Sequence, residues 1–520
     1  MFNIADLFEQ SVDAWGDREY LVDERVRMTF AEVEARANRL AHHLAAAGVG
    51  PGDHVGIYAY NRAEWVETLW AVFKLRAVWI NINYRYVTDE LAYLFDNADL
   101  VHLVVEPEFV ERARSVAPSL PMTVIGDEYE VALAGQSPER DFGPRSGDDR
   151  YILFTGGTTG MPKGVVWRHE DVVYALGGGI DVVSGQRLEA DEDFVTKAEA
   201  GFPLTIHPIA PLMHGASQWA VMGQSFLGNR VVLRERFDPA AVWRTVDDEA
   251  VNLIMITGDA MARPLLDILD ANRDDYDLSS LFACSSSAVL FSQTCKDQFL
   301  EYFPNLVITD AIGSSESGAN GVTMVAKGMT MKGGPTVTAA RDAVVLDEDL
   351  RPVAPGSGVV GRLARSGNVP IGYYKDPEKT AATFVTGPDG VRYVLPGDFA
   401  TLEADGSITM LGRGSVSINT GGEKVFPEEV ENALKGHPAI FDATVVGVPD
   451  DRWGERVVAV VSGRPGVVPD LDDIQSHCRD HIAGYKVPRD LVIVEEIVRS
   501  PAGKPDYRWA RATAVEALGG

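Results

Sequence analysis

Residues 151–169 read YILFTGGTTGMPKGVVWRH. The short apolar run Tyr151–Phe154 has the composition of a strand. It opens into a stretch where Thr155, Thr158 and Thr159 offer hydroxyls, Gly156, Gly157 and Gly160 remove steric bulk, and Lys163 carries charge. Backbone N–H groups in a glycine-rich turn can approach an anion closely, and a nearby ammonium adds to the attraction, so a nucleotide phosphate is the candidate ligand. The loop is not of the G-x-x-x-x-G-K-[ST] type, because Lys163 follows Pro162 and precedes Gly164. A plain surface turn is the competing reading, and so many hydroxyls and glycines beside one lysine weigh against it.

Outward from this stretch, HVGIYAY (54–60) and LVHLVV (100–105) are further β-rich runs separated by helical patterns. That alternation predicts an α/β fold, parallel-rich sheets with covering helices. One helix is marked in detail. Thr29 and Glu32 have capping-box spacing, Val33, Ala37, Leu40 and Leu44 follow at helical intervals, and Gly48 ends the run. A chain of 520 residues exceeds the size at which single cores stop growing, so at least two domains are expected. The segment LGRGS (411–415) precedes a compact region with its own pattern. This region has a helix opened by Pro427 and closed near Gly436, then strands ATVVGV (443–448) and RVVAVV (456–461). The expected division is a large domain over 1–412 and a small, mobile α+β lid over 413–520.

Composition narrows the function. Hydrophobic residues at 46% and charged residues at 24% are ordinary for globular proteins, which argues against a disordered or fibrous chain. A formal net charge of −29 argues against general binding to nucleic acid or to an anionic membrane, both of which demand a basic face. Cys284, Cys295 and Cys478 form no CxxC pair, so neither a disulfide framework nor a zinc site is expected. The N-terminal MFNIADLFEQ lacks the basic start and apolar core of a signal peptide, and charges such as Lys74 and Arg76 interrupt the longest apolar stretches. A cytoplasmic protein without a transmembrane segment is expected, and a homo-oligomer is compatible with the sequence.

Four more segments complete a pattern: IGSSE (312–316), PGD (396–398), GRGSVSINTGGEKVFPEEVE (412–431) and RSPAGKPDY (499–507). With the phosphate loop and in this order, the chain resembles the ANL adenylating superfamily of acyl-CoA synthetases, peptide-synthetase adenylation domains and luciferases. Within it, WRHED (167–171), GDAMARPL (258–265) and SPAGKPDYRWA (500–510) look most like actinobacterial CoA ligases acting on fatty acids and steroid side chains. The resemblance implies that a carboxylate attacks the α-phosphorus of ATP to give an acyl-adenylate and pyrophosphate, and that coenzyme A then displaces AMP.

The resemblance also implies roles. The phosphate loop, with Thr155, Gly156, Gly157, Thr158, Thr159 and Lys163, would hold the β- and γ-phosphates. Lys504 would bridge the attacking carboxylate and the α-phosphate, where charge accumulates in the transition state. Glu316 would hold Mg2+, which takes few protein ligands and favours carboxylates. Ser315 would hydrogen-bond the α-phosphate beside Gly313 and Ser314. Asp398 would accept the ribose hydroxyls, with Arg413 adding a donor, and Ser287 and Ala288 would flank adenine. Gly422 would lie along the pantetheine arm of CoA. His214 in PLMHGAS (211–217) would border the acyl pocket, and the small or apolar Ala216, Trp219, Val221 and Met222 around it suit an uncharged hydrophobic acid. A satisfied core histidine is the competing reading for His214.

Two positions depart from the family pattern. Ile312 stands where an aromatic residue stacks on adenine, and Ser415 stands at the hinge where Asp or Lys is usual. Amino-acid-activating relatives carry an aspartate for the substrate ammonium, and Asp238 does not align convincingly with it. Two alternatives stay open: an acyl-AMP ligase that loads a carrier protein, and a non-catalytic nucleotide-binding sensor.

Overall fold

The computed structural model describes residues 1–157, 160–180, 185–287, 291–329, 336–420, 423–450, 453–499 and 504–518; the side chains of 156, 157, 160, 415 and 424 lie outside that description. The architecture is mixed α/β, with a large N-terminal body and a smaller C-terminal lid. Among the described residues, two sheets build the body. One has seven strands, among which His54–Tyr58 lies between Val78–Asn81 and Leu100–Val105, all parallel. Its all-buried HVGIY pattern is what a strand covered on both faces requires. The second body sheet has fifteen strands and a central parallel stretch running through Thr205–Pro208, Leu253–Ile256, Ala283–Ser287 and Val307–Ser314.

Helix Phe30–Ala46 starts at the predicted capping box: Glu32 N donates to Thr29 Oγ1 at 3.2 Å, and Thr29 N to Glu32 Oε2 at 2.8 Å. Gly48, at φ +96°, ends that run. One feature differs from the parallel-rich expectation. From Thr336 to Arg413 the fifteen-stranded sheet is antiparallel throughout. Several of its short strands are joined by turns such as Glu403–Ser407.

The lid is built on the hairpin Ile440–Asp450 and Gly454–Gly463, with Asp490–Val494 parallel to the latter. Alternate residues face opposite layers. Ala443, Val445, Val457, Ala459 and Val461 pack with helices Pro427–Lys435 and Leu471–His481, while Val446, Val448, Val458 and Val460 pack with Ala510 and Ala514 of helix Tyr507–Leu518. The body ladder continues through Arg413, a single 3-10 turn covers Gly414–Val416, and the lid sheet begins at Ile418. Among the described residues no helix is long and apolar enough to cross a membrane. Cys284, Cys295 and Cys478 are free and buried.

Candidate active site

Strand Arg150–Gly157 runs parallel to Val78–Asn81 and antiparallel to Gly160–Arg168, which sets Thr155 opposite Lys163 and Gly157 opposite Gly160. Buried Asn81 fixes the root of this loop. Its Oδ1 accepts from Phe154 N at 2.8 Å, and its Nδ2 donates to Phe154 O at 2.9 Å and to Met213 O at 2.8 Å. One amide therefore joins the phosphate strand to the residue before His214. Beyond the strand, Lys163 Nζ donates to Asp376 Oδ2 at 2.9 Å and lies 5.7 Å from the Tyr373 ring centroid. The Tyr373 hydroxyl donates to Glu316 Oε1 at 2.9 Å. Tyr373 thus touches both the phosphate-loop lysine and the candidate metal carboxylate. Motif reading assigned no role to Asn81, Tyr373 or Asp376. The available signal was a polar amide ending the apolar strand VWIN, and GYYKD at 372–376.

The next wall is strand Val307–Ser314 and the turn after it. Ile312 packs with an apolar cluster that includes Val337, Val345 and Ile408, and Ser287 pairs with Ala311 one residue earlier. Gly313 passes so close to the returning strand that a Cβ there would fall 2.2 Å from Gly318 O. The turn is held from inside. Ser317 N donates to Ser314 Oγ at 3.1 Å, Trp167 Nε1 to Ser315 O at 3.0 Å, and buried Arg365 Nη1 to Ser317 O at 2.9 Å and Ala319 O at 2.7 Å. Glu316 is presented from a rigid turn.

On the ribose side, Asp398 and Arg413 are ladder partners, and Arg413 Nε donates to Asp398 Oδ1 at 3.3 Å. Burial works against the Arg413 charge, but Asp398 and Glu316 outweigh it and hold its pKa above the usual arginine value. Gly412 has φ +121°, and Arg413 N donates to Glu428 Oε1 of the lid at 3.4 Å. Burial, with Glu431 nearby, pushes the Glu428 carboxyl up to about 8.

Lys504 joins this group from the lid. Burial and the Arg413 charge lower its pKa, while Glu316 and Asp398 act in the opposite direction. The ammonium therefore lies within electrostatic reach of Glu316, Asp398 and Arg413. His214 stands at the N-cap position of helix Gly215–Phe226 without a side-chain capping bond, and its imidazole is pushed down to about 4 by burial and by the Arg85 and Lys504 charges. It is neutral at physiological pH and feels the same lysine.

Thr155, Lys163, Ser287, Ile312, Gly313, Ser314, Asp398 and Arg413 lie on strands, and Ser315, Glu316, His214 and Lys504 lie between elements; the backbones of Gly156 and Gly157 complete the strand Arg150–Gly157. Thr158, Thr159, Ala288 and Gly422 lie outside the described residues, as does the Ser415 side chain. One expectation changes. Val221 and Met222 belong to the body core at 0% and 1% exposure, so apolar composition at those positions reflects packing. Asp238 is a helix N-cap whose Oδ1 accepts from Ala241 N at 2.6 Å, a structural task.

Comparison with known proteins shows the family. The AMP-binding enzyme family matches residues 8–374, and the AMP-binding enzyme C-terminal domain matches 429–504. The chain is 54% identical to a 3-oxocholest-4-en-26-oate–CoA ligase of Rhodococcus rhodochrous, over 98% of this chain and 95% of that protein. It is 52% identical to a medium/long-chain-fatty-acid–CoA/3-oxocholest-4-en-26-oate–CoA ligase of Mycolicibacterium smegmatis, over 99% and 97%. Among solved structures, the anthranilate CoA ligase AuaEII with anthranoyl-AMP superposes at TM-score 0.87 with 24% identity, covering 100% of this chain and 98% of that one. ATP-bound MatB from Rhodopseudomonas palustris gives 0.84 at 22%, covering 99% of each chain. At these identities the two structures speak for the fold alone.

Proposed function

Since the chain belongs to the AMP-binding enzyme family, we propose that it is an ATP-dependent acyl-CoA ligase for hydrophobic carboxylic acids, acting in the cytoplasm on steroid side-chain acids and medium- to long-chain fatty acids. The acid is activated as its adenylate with release of pyrophosphate, and coenzyme A takes the acyl group with release of AMP. One observation carries the reading: the lid delivers the Lys504 ammonium into the charge field shared by Glu316, Asp398 and Arg413. Negative charge grows at the α-phosphorus during adenylation, and a cation placed there beforehand stabilises that transition state more than the ground state.

The remaining residues divide the work. Thr155, Gly156, Gly157, Thr158, Thr159 and Lys163 receive the β- and γ-phosphates, and Lys163 exchanges Asp376 for phosphate oxygen when ATP enters. Ser287, Ala288 and Ile312 line the adenine, Gly313, Ser314 and Ser315 the α-phosphate, and Asp398 with Arg413 the ribose. Glu316 is a fitting ligand for Mg2+, since a single carboxylate oriented by the Tyr373 hydroxyl suits an ion that keeps several waters. The ion would neutralise phosphate charge. His214, neutral, offers a hydrogen bond near the acyl carboxylate without competing with Lys504 for its charge. Gly422 belongs to the pantetheine path. The lid, joined to the body at Gly414–Val416, turns between the two half-reactions.

The test is AMP release in the presence and absence of CoA, over short, medium and long fatty acids, aromatic acids and steroid side-chain carboxylates. The expected result is CoA-dependent turnover of the steroid and longer fatty acids. Turnover confined to short or aromatic acids would overturn the substrate reading, and turnover unaffected by CoA would overturn the ligase reading.

A further inference from the structure

Arg499 precedes and Pro505 follows the segment of sequence that ends in Lys504. Arg499 and Pro505 form an antiparallel bridge, and Asp506 N donates to Val498 O at 3.2 Å, so the two ends are tied. The tie is anchored by charge. Arg499 donates Nε to Asp442 Oδ2 at 3.0 Å, and Nη2 to Oδ1 at 2.7 Å and to Oδ2 at 2.6 Å. Lys435 Nζ, from the helix Pro427–Lys435, lies 3.1 Å from Asp442 Oδ1. The Lys435 side chain is 2% exposed, and Asp442 and Arg499 only 16% and 17%. Although burial acts against its charge, the two cations hold the Asp442 carboxyl below the usual aspartate range.

Asp442 also sits where lid meets body. It lies in the central hairpin strand Ile440–Asp450, and its neighbour Phe441 presents its ring 5.5 Å from the guanidinium of Arg263 on the body helix Gly258–Asn272. The Arg263 charge acts on Asp442 as well. One carboxylate thus meets the base of the lysine loop, a lid helix and the body surface.

We propose that Asp442 is a positioning residue for adenylation: by gripping Arg499 against Lys435 it fixes the loop that presents Lys504, and through Phe441 it registers that loop against the body helix. The proposal rests on the reading of Lys504 given above. Loss of the Asp442 charge leaves two half-buried or buried cations facing each other, and the tied loop ends then separate. A displacement of about 1 Å at a reacting centre costs on the order of 10²-fold in rate.

The experiment measures the two half-reactions separately in the full-length enzyme: acyl-AMP formation without CoA, and thioester formation from synthetic acyl-AMP plus CoA. Asp442→Asn is expected to slow the first by ~10–100-fold and change the second by less than about twofold. Asp442→Asn combined with Lys504→Ala is expected to be no slower in adenylation than Lys504→Ala alone, because Asp442 acts through that lysine. Arg499→Lys, which keeps the charge and loses the paired donors, serves should Asp442→Asn fail to fold, with the same one-sided loss expected. Equal loss in both half-reactions, unchanged adenylation, or a further drop in the double variant would overturn the positioning role. A Lys504→Ala enzyme with normal adenylation would instead overturn the reading of Lys504 itself.

Discussion

In the body, the candidate site residues are placed by backbone register, whereas in the lid the decisive residue is placed by side-chain charge. Asp398 faces Arg413 because their strands pair there, and the phosphate strand is pinned at Phe154 by an amide that satisfies both backbone groups. Lys504 has no strand of its own, and its loop is tied through Arg499, Asp442 and Lys435. The contacts between the two parts are made by side chains: Arg413 N to Glu428, Arg263 over Phe441, and the Phe399 and Phe426 rings with centroids 5.7 Å apart. A ladder holds one geometry, while a surface made of side-chain contacts can be left and regained as a unit. A rigid nucleotide cradle and a detachable cation are what two successive half-reactions in one site require.

The largest effect expected from this contrast is at Lys504. Lys504→Ala should lower adenylation by about 10²–10³-fold or more while thioester formation from synthetic acyl-AMP persists. Comparable loss in both would mean the lysine is a structural part of the lid.

Acid should next separate body from lid. His102, His169 and His207, all in the body and at most 3% exposed, are pushed down to about 4 by burial. Their folded values lie below the unfolded value near 6.5, so the unfolded chain binds more protons in between. The stability they contribute is complete above about pH 6.5 and is lost as pH falls toward 4, on the order of 3 kcal/mol for each histidine. Hydrogen exchange should show protection falling first in strands 100–105 and 205–208. Earlier loss in the lid hairpin would reverse the comparison.

A smaller effect is expected at Tyr373→Phe, which removes the donor to Glu316 and leaves the ring beside Lys163. The Mg2+ concentration for half-maximal adenylation should rise by about tenfold, and an unchanged magnesium profile would separate Tyr373 from the metal carboxylate. The smallest belongs to Glu428→Gln. The Glu428 carboxyl, raised to about 8, is largely protonated near neutrality, so an amide is a close substitute and the rate at pH 7 should change by less than about twofold. A group whose folded value is raised gives stability that is full below its unfolded value and declines as pH rises through about 8. The variant should flatten that decline in thermal melts, and an unaltered melting profile would show that the carboxyl is already ionised.

Much of the body was readable because its signals are local. Strands 54–58 and 100–105, the capping box at Thr29 and the phosphate strand each declare themselves within a few consecutive residues. The residues that tie the site together do so across distance: Asn81 to Phe154 spans 73 positions, and Glu316 to Tyr373 and Asp442 to Arg499 each span 57. No periodicity or turn rule links such pairs, since only the folded topology brings them together. Val221 and Met222 show the converse error, for apolar residues on a helix that follows a candidate histidine read alike whether they face substrate or core. The antiparallel stretch 336–413 escaped for a related reason: its strands are short and their order in the sheet is not their order in the chain.

The central claim is that the lid brings the Lys504 ammonium to the point where acid and nucleotide join. A crystal structure of the enzyme with a non-hydrolysable acyl-adenylate mimic tests it directly. The account predicts Lys504 Nζ at hydrogen-bond distance, about 3 Å, from the oxygens that replace the mixed anhydride, with Asp398 on the ribose. Lys504 turned to solvent in that complex, with another cation in its place, would contradict it.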